Sequence, residues 1–291
     1  MAELLGDQAE GLRRLLAHNQ PRILAFLGAY PRVGVSSLIL NLAAGLARMG
    51  RSVLVIDEHN GSTSLTTRLA GHTRRELLDA VRAGAALPRV MQDLTEGVKL
   101  LPAAHAARHF ADLDETDTEQ VRHAFAELAS LPDVILIDGQ MPGQTSSFSL
   151  AAQEIVMVMG ADKSGLTEVY AQAKKLHQEF ARRQLQVLFT RTDAKEADNL
   201  FQALLSTARR FLDVRLNLLG VVPADERLQQ AGRALQPVVD SFPHSPSAMM
   251  IKELAGRIDA WPVSEQRLSQ PADLADCLLR SSRLSGNAVS I

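Results

Sequence analysis

The stretch Leu27-Gly28-Ala29-Tyr30-Pro31-Arg32-Val33-Gly34-Val35-Ser36-Ser37 joins an apolar run over residues 23–27 to a helical pattern over residues 36–49. Such a strand–loop–helix junction is where a phosphate-binding loop sits. In the pattern G-x-x-x-x-G-K-[ST], glycines let backbone N–H groups curl around phosphates at a helix N-terminus. The lysine neutralises the β- and γ-phosphates, and the hydroxyl reaches Mg²⁺. With Gly34 as the final glycine, Ala29 takes the place of the first, Val35 replaces the lysine and Ser36 keeps the hydroxyl. The loop has the right position and little of the chemistry. Gly34 and Ser36 suit an ordinary turn and helix cap equally well.

Working outward, β-like apolar runs occur at 23–27, 53–56, 98–101, 134–137, 155–159, 187–189 and 216–222, mostly separated by helical patterns. Their continuous apolar character means strands covered on both faces, as in a parallel sheet with crossover helices. The expected fold class is α/β, a doubly wound and mostly parallel sheet flanked by helices. Such sheets bind ligands at the carboxyl ends of their strands, and the singular residues collect there, in segments 30–37, 57–61, 138–143, 162–164, 190–193 and 223–225. Helices are expected near 65–69, 75–83, 118–131, 166–183, 197–211, 226–234 and 246–261, the third capped by Asp117 or Thr116.

A chain of 291 residues with 46% hydrophobic and 22% charged residues can bury one large core. A formal net charge of −2 gives no global electrostatic case for nucleic acid or an anionic membrane. The single cysteine, Cys277, excludes an intramolecular disulfide, and no paired Cys/His spacing suggests zinc. No run approaches the length of a transmembrane helix, so a cytoplasmic protein, at most peripheral on a membrane, is expected. The expected organisation is an amphipathic N-terminal helix over 1–20, an α/β domain over 21–262 and a tail with a short helix over 263–291. By composition the tail is the least ordered part.

These residues resemble the MinD/ParA family of deviant P-loop ATPases, and more narrowly the FlhG class, also called FleN or YlxH, which regulates flagellar number and placement. Family members carry K-G-G-x-G-K-[ST]-[ST]. Here Tyr30 stands at the first, signature lysine, Pro31 and Arg32 at the paired glycines, and Val35 at the second lysine, while Val33, Gly34, Ser36 and Ser37 keep the pattern. The strand ending Asp57-Glu58-His59 resembles the family's D-x-D switch, with His59 at the aspartate that helps position water. The strand ending in Asp138 resembles the second switch. Asp7-Gln8-Ala9-Glu10-Gly11-Leu12-Arg13 matches the FlhG motif D-Q-A-x-x-L-R, and the segment from Phe211 through Pro223, Ala224 and Asp225 to Trp261 is also FlhG-like.

The resemblance implies ATP or ADP with Mg²⁺ as cofactor, held by Ser36, Asp57 and Asp138, with the two aspartates as the candidate catalytic residues. It implies a nucleotide contacted by Arg32, Gly34, Ser36, Ser37, Thr190, Arg191 and Pro223. Arg32 suits phosphate oxygens, yet reads equally as a solvated side chain. With both lysines replaced, weak or no ATP hydrolysis is expected, and the site could hold no cofactor at all. Asp7, Gln8, Leu12 and Arg13 would contact a partner, the signal-recognition-type GTPase FlhF, whose turnover this helix stimulates in the family. Flagellar switch, C-ring or transcriptional regulator proteins and a homodimer are further partners the resemblance implies, with no specific nucleic acid. The rival expectation is an active ATPase that dimerises on ATP and cycles on membrane or DNA. Residence at the inner membrane or cell pole would be peripheral. The tail helix, with Leu274, Leu278 and Leu279, has few basic residues and no large aromatic anchor, which favours ordinary packing over a membrane surface.

Overall fold

The computed structural model describes residues 21–60, 64–70, 75–140, 148–261 and 268–287. Its strands are β1 (Arg22–Gly28), β2 (Val53–Asp57), β3 (Gln92–Thr95), β4 (Val98–Pro102), β5 (Val134–Gly139), β6 (Glu154–Met159), β7 (Gln184–Thr190) and β8 (Arg215–Val222). Its helices are α1 (Val35–Arg48), α2 (Leu65–Ala70), α3 (Leu77–Arg82), α4 (Ala106–His109), α5 (Glu115–Ala126), α6 (Lys163–Phe180), α7 (Ala194–Phe211), α8 (Glu226–Arg233), α9 (Val238–Ser241), α10 (Pro246–Asp259) and α11 (Pro271–Asn287).

One sheet of order β3-β4-β2-β5-β1-β6-β7-β8 runs through the molecule, parallel except where β3 pairs antiparallel with β4. β1 lies between β5 and β6, so Ile23 to Leu27 are buried on both faces. That is why these residues read as one apolar run rather than an alternation. Side chains of Ile23, Ala25 and Leu27 enter one core, and those of Leu24 and Phe26 the other. α1 presents Leu38, Ile39, Leu42 and Leu46 to the second core, and its only buried polar side chain in that stripe is satisfied: Asn41 donates to the Ser37 carbonyl at 2.7 Å and accepts from the Val238 N–H at 2.6 Å.

The seven apolar runs all became strands, and three departures have local causes. β3 is an added antiparallel edge; Gln92, Asp93 and Thr95 carry no apolar run because an edge strand faces solvent. α5 begins at Glu115, capped by Asp114, whose carboxylate accepts from the Asp117 N–H at 2.8 Å. Asp114 has the extended backbone an N-cap needs, whereas Thr116 and Asp117 already lie inside the helix. Within the tail, α11 packs on α5 and on the turn Phe148–Ala151, with Leu274 and Leu278 at 0% and Leu279 at 3% exposure. Ser281, Ser282 and Ser285 are buried beside them, so this small-residue composition is that of a closely packed helix. No described helix is long and apolar enough to cross a membrane.

Candidate functional site

The carboxyl ends of β1, β2, β5, β6, β7 and β8 bring the loops together at one edge, with the β1–α1 loop central. Gly34 caps α1 at φ 111°, a backbone open to glycine at little cost. Arg32 and Arg191 are also left-handed, at φ 67° and 57°. Their loops are stitched together: the Arg191 guanidinium donates to the carbonyls of Val33 and Arg32 at 3.3 and 3.4 Å, and the Thr190 hydroxyl to the Val33 carbonyl at 3.1 Å. On the other side, the buried Gln172 amide donates to the Gly28 carbonyl at 3.1 Å. Thr190 and Arg191 thus hold the loop's backbone, whatever ligand it meets.

At the two lysine positions the side chains turn into the protein. Val35 is 9% exposed and packs in the core with Val33 and Leu38. The Tyr30 ring lies against Gly160 and Gly165, and its hydroxyl donates to Asp162 Oδ2 at 2.6 Å. Asp162 caps α6 at the same time, accepting from the Gly165 N–H at 2.7 Å and the Ser164 hydroxyl at 2.6 Å. Hydrogen bonds from Ser164, Tyr30 and Gly165 hold its carboxyl below the ordinary range. Burial, reinforced by the bond and charge of Asp162, pushes the Tyr30 phenol up. The Arg32 side chain is exposed at the rim.

Asp57 and Asp138 are register partners at the ends of adjacent strands, and both are fully buried. Their environments differ. Asp57 Oδ2 accepts from Ser64 Oγ at 2.7 Å and from Thr66 N and Oγ1 at 2.9 Å, while Oδ1 accepts from the His59 N–H at 3.1 Å. It ties the end of β2 to Ser64 and Thr66 at the start of α2. Among the described residues, neither oxygen of Asp138 has a hydrogen-bond partner of ordinary geometry. Burial pushes its pKa up to about 7; the Asp57 charge adds to this, and His59, the Ser36 hydroxyl and Arg68 oppose it. The His59 ring sits over the pair, Nδ1 lying 3.5 Å from Asp138 Oδ1 and 3.8 Å from Asp57 Oδ1. An orphaned buried carboxylate beside a hydroxyl fits a divalent cation of the Mg²⁺ type, with Asp138 and Ser36 as its holders.

A cavity of about 190 Å³ adjoins the other flank of the loop, lined by Gly34, Ser37, Leu38, Thr190, Pro223 and Leu228 among others. Its walls are largely apolar, of a size and character that suit a flat ring. Asp225 reaches this cavity too, but its carboxylate is occupied with the Arg227 N–H at 2.8 Å and the Ser247 N–H at 3.0 Å. The structure therefore gathers Gly34, Ser36, Ser37, Thr190, Arg191, Pro223, Asp57 and Asp138 around one loop. Asp7, Gln8, Leu12 and Arg13 lie outside the described residues, as do Met141, Pro142 and Gly143.

Sequence reasoning passed over Glu58. Buried at 1% exposure, it accepts from the Gln140 N–H at 2.8 Å and from the Phe148 N–H, tying the end of β2 to both residues. A charged residue directly after a buried strand was the available signal. It also passed over Asp162 as the partner of Tyr30.

No protein-family model matches the chain. It is 29% identical over 245 residues to the antiactivator FleN of Pseudomonas aeruginosa, spanning 83% of this chain and 88% of that protein. It is 22% identical over 265 residues to the flagellum site-determining protein YlxH of Helicobacter pylori, spanning 87% and 90%. The fold superimposes on MinD in the MinC:MinD complex of Aquifex aeolicus with a TM-score of 0.61, at 19% identity over 84% of this chain and 98% of that one. It matches MinD with Mg-ADP from Pyrococcus horikoshii at 0.59, with 21% identity over 82% and 96%. The chain is thus similar to FleN and YlxH over most of its length and has the MinD/ParA-type P-loop fold, so that the resemblance carried by its motifs is borne out.

Proposed function

We propose that this chain regulates flagellar number and placement through protein contacts, on a MinD-type scaffold whose nucleotide site binds weakly and hydrolyses little or nothing. The similarity to FleN and YlxH supports the flagellar role. The observation that carries the second half is the fate of the lysine positions: Tyr30 is bonded to Asp162 of its own chain and Val35 is buried in the core. Neither lysine position then offers a cation to a triphosphate, and the exposed Arg32 is the one cation left between Gly28 and Ser37. Charge-assisted contacts contribute roughly 1.5–3 kcal/mol each, so two lost lysines weaken binding by roughly two to four orders of magnitude. Ser36 and Asp138 would hold Mg²⁺ beside a bound nucleotide, where the ion would supply charge neutralisation, and the apolar cavity would take the base.

The active element in this reading is the segment 1–20, with Asp7, Gln8, Leu12 and Arg13 meeting an FlhF-like GTPase. The α/β body meets flagellar switch or transcriptional proteins, directly or as a homodimer, in the cytoplasm or peripherally at the pole. GTP turnover by FlhF is to be measured with the full chain, the chain lacking residues 1–20 and Gln8→Ala. Stimulation by the full chain alone is expected; equal turnover in all three arms defeats the proposal. A working, dimerising ATPase is the second reading, favoured by the open base cavity and the orphaned Asp138 carboxylate.

A further inference from the structure

His59 adds a nitrogen donor to the carboxylate corner. A magnesium site is built of oxygen donors, and Mg²⁺ seldom takes imidazole, which suits zinc, nickel, copper and iron instead. Here, among the described residues, the ring nitrogen Nδ1 is buried without a hydrogen-bond partner, as are both oxygens of Asp138. The side chain of His59 is 26% exposed, which leaves a path from solvent.

The distances sharpen the point. His59 Nδ1 is 3.5 Å from Asp138 Oδ1 and 3.8 Å from Asp57 Oδ1, too far for sound hydrogen bonds. Two ligands held about 2.0–2.1 Å from one tetrahedral ion stand roughly 3.4 Å apart. One donor atom from each of Asp57, His59 and Asp138 falls within 4.8 Å of the others. Asp57 Oδ1 accepts one hydrogen bond, from the His59 N–H, so it keeps lone-pair capacity, whereas its Oδ2 is filled by Ser64 and Thr66. This second oxygen fixes the carboxylate's orientation as a supporting shell does around a metal.

We propose that Asp57, His59 and Asp138 bind one borderline divalent ion, Zn²⁺ being the probe of choice, in the absence of nucleotide. The fourth position is open to water or the Ser36 hydroxyl. The site does not depend on the flagellar reading, since it concerns the protein alone.

The test uses the full-length chain without an affinity tag, stripped with EDTA and titrated with Zn²⁺ by calorimetry, and with Co²⁺ by visible absorption. One ion per chain at roughly micromolar affinity is expected, with Co²⁺ bands of tetrahedral intensity. His59→Ala and Asp138→Asn should each weaken binding roughly tenfold or more and abolish those bands. His59→Asp, an all-oxygen set, should favour Mg²⁺ or Mn²⁺ over Zn²⁺ relative to the parent. Circular-dichroism melts establish that each variant is folded. Zn²⁺ binding that is unchanged in folded His59→Ala and Asp138→Asn assigns the ion to other histidines and overturns the proposal. So does a folded parent chain that takes up no stoichiometric Zn²⁺.

Discussion

The Tyr30 hydroxyl donates to Asp162 Oδ2 at 2.6 Å, tying the β1–α1 loop to the N-terminus of α6. A loop that would present a cation thereby presents a phenol, and presents it inward. Asp162 serves as both helix cap and phenol acceptor, so the same carboxylate orders two elements.

That bond should be visible in a pH titration of phenolate absorbance. Burial and Asp162 both favour the neutral phenol, so Tyr30 should ionise above the ordinary value of 10.0. The chain has only two tyrosines, and subtracting the curve of Tyr30→Phe isolates this one from Tyr170. Asp162→Asn removes the neighbouring negative charge and should bring the midpoint back down. A Tyr30 midpoint at or below the ordinary value, or one indifferent to Asp162→Asn, contradicts the geometry.

Restoring both lysines should restore affinity. The double variant Tyr30→Lys/Val35→Lys regains two charge-assisted phosphate contacts, and ATP·Mg²⁺ should bind roughly a hundredfold tighter than to the parent. Val35 opens the first turn of α1, the position from which the family's lysine would meet phosphate. If a folded double variant binds no better than the parent, the replaced lysines are not what limits binding.

The packing of α11 gives a stability test. Leu278 is fully buried against the body, and truncating such a leucine costs roughly 2–5 kcal/mol. Leu278→Ala should lower the denaturant midpoint of the whole domain in a single transition. A change confined to a separate minor transition would mean that α11 is detachable.

The sequence disclosed the sheet because β1, β2, β5, β6 and β7 are buried on both faces and so read as unbroken apolar runs. It did not disclose β3, an edge strand with little apolar content. Motif positions located the loop and both strand-end aspartates, Asp57 and Asp138. What the side chains do there depends on distant neighbours: Tyr30 meets Asp162 through 132 positions of separation, and Asp57 spends its lone pairs on Ser64 and Thr66 while Asp138 keeps its own. The tail helix and its packing leucines, Leu274, Leu278 and Leu279, were legible; the close packing of Ser281, Ser282 and Ser285 was not, since serines packed between helices have the same composition as a loose tail.

The most direct measurement is a calorimetric titration of the full-length chain with ATP·Mg²⁺. A dissociation constant of roughly 0.1 mM or weaker is expected, about a hundredfold or more above the micromolar range for a loop that lacks two charge-assisted contacts. Binding at roughly micromolar strength or tighter would contradict the account, because it would mean that Tyr30 and Val35 have not cost the loop its hold on phosphate.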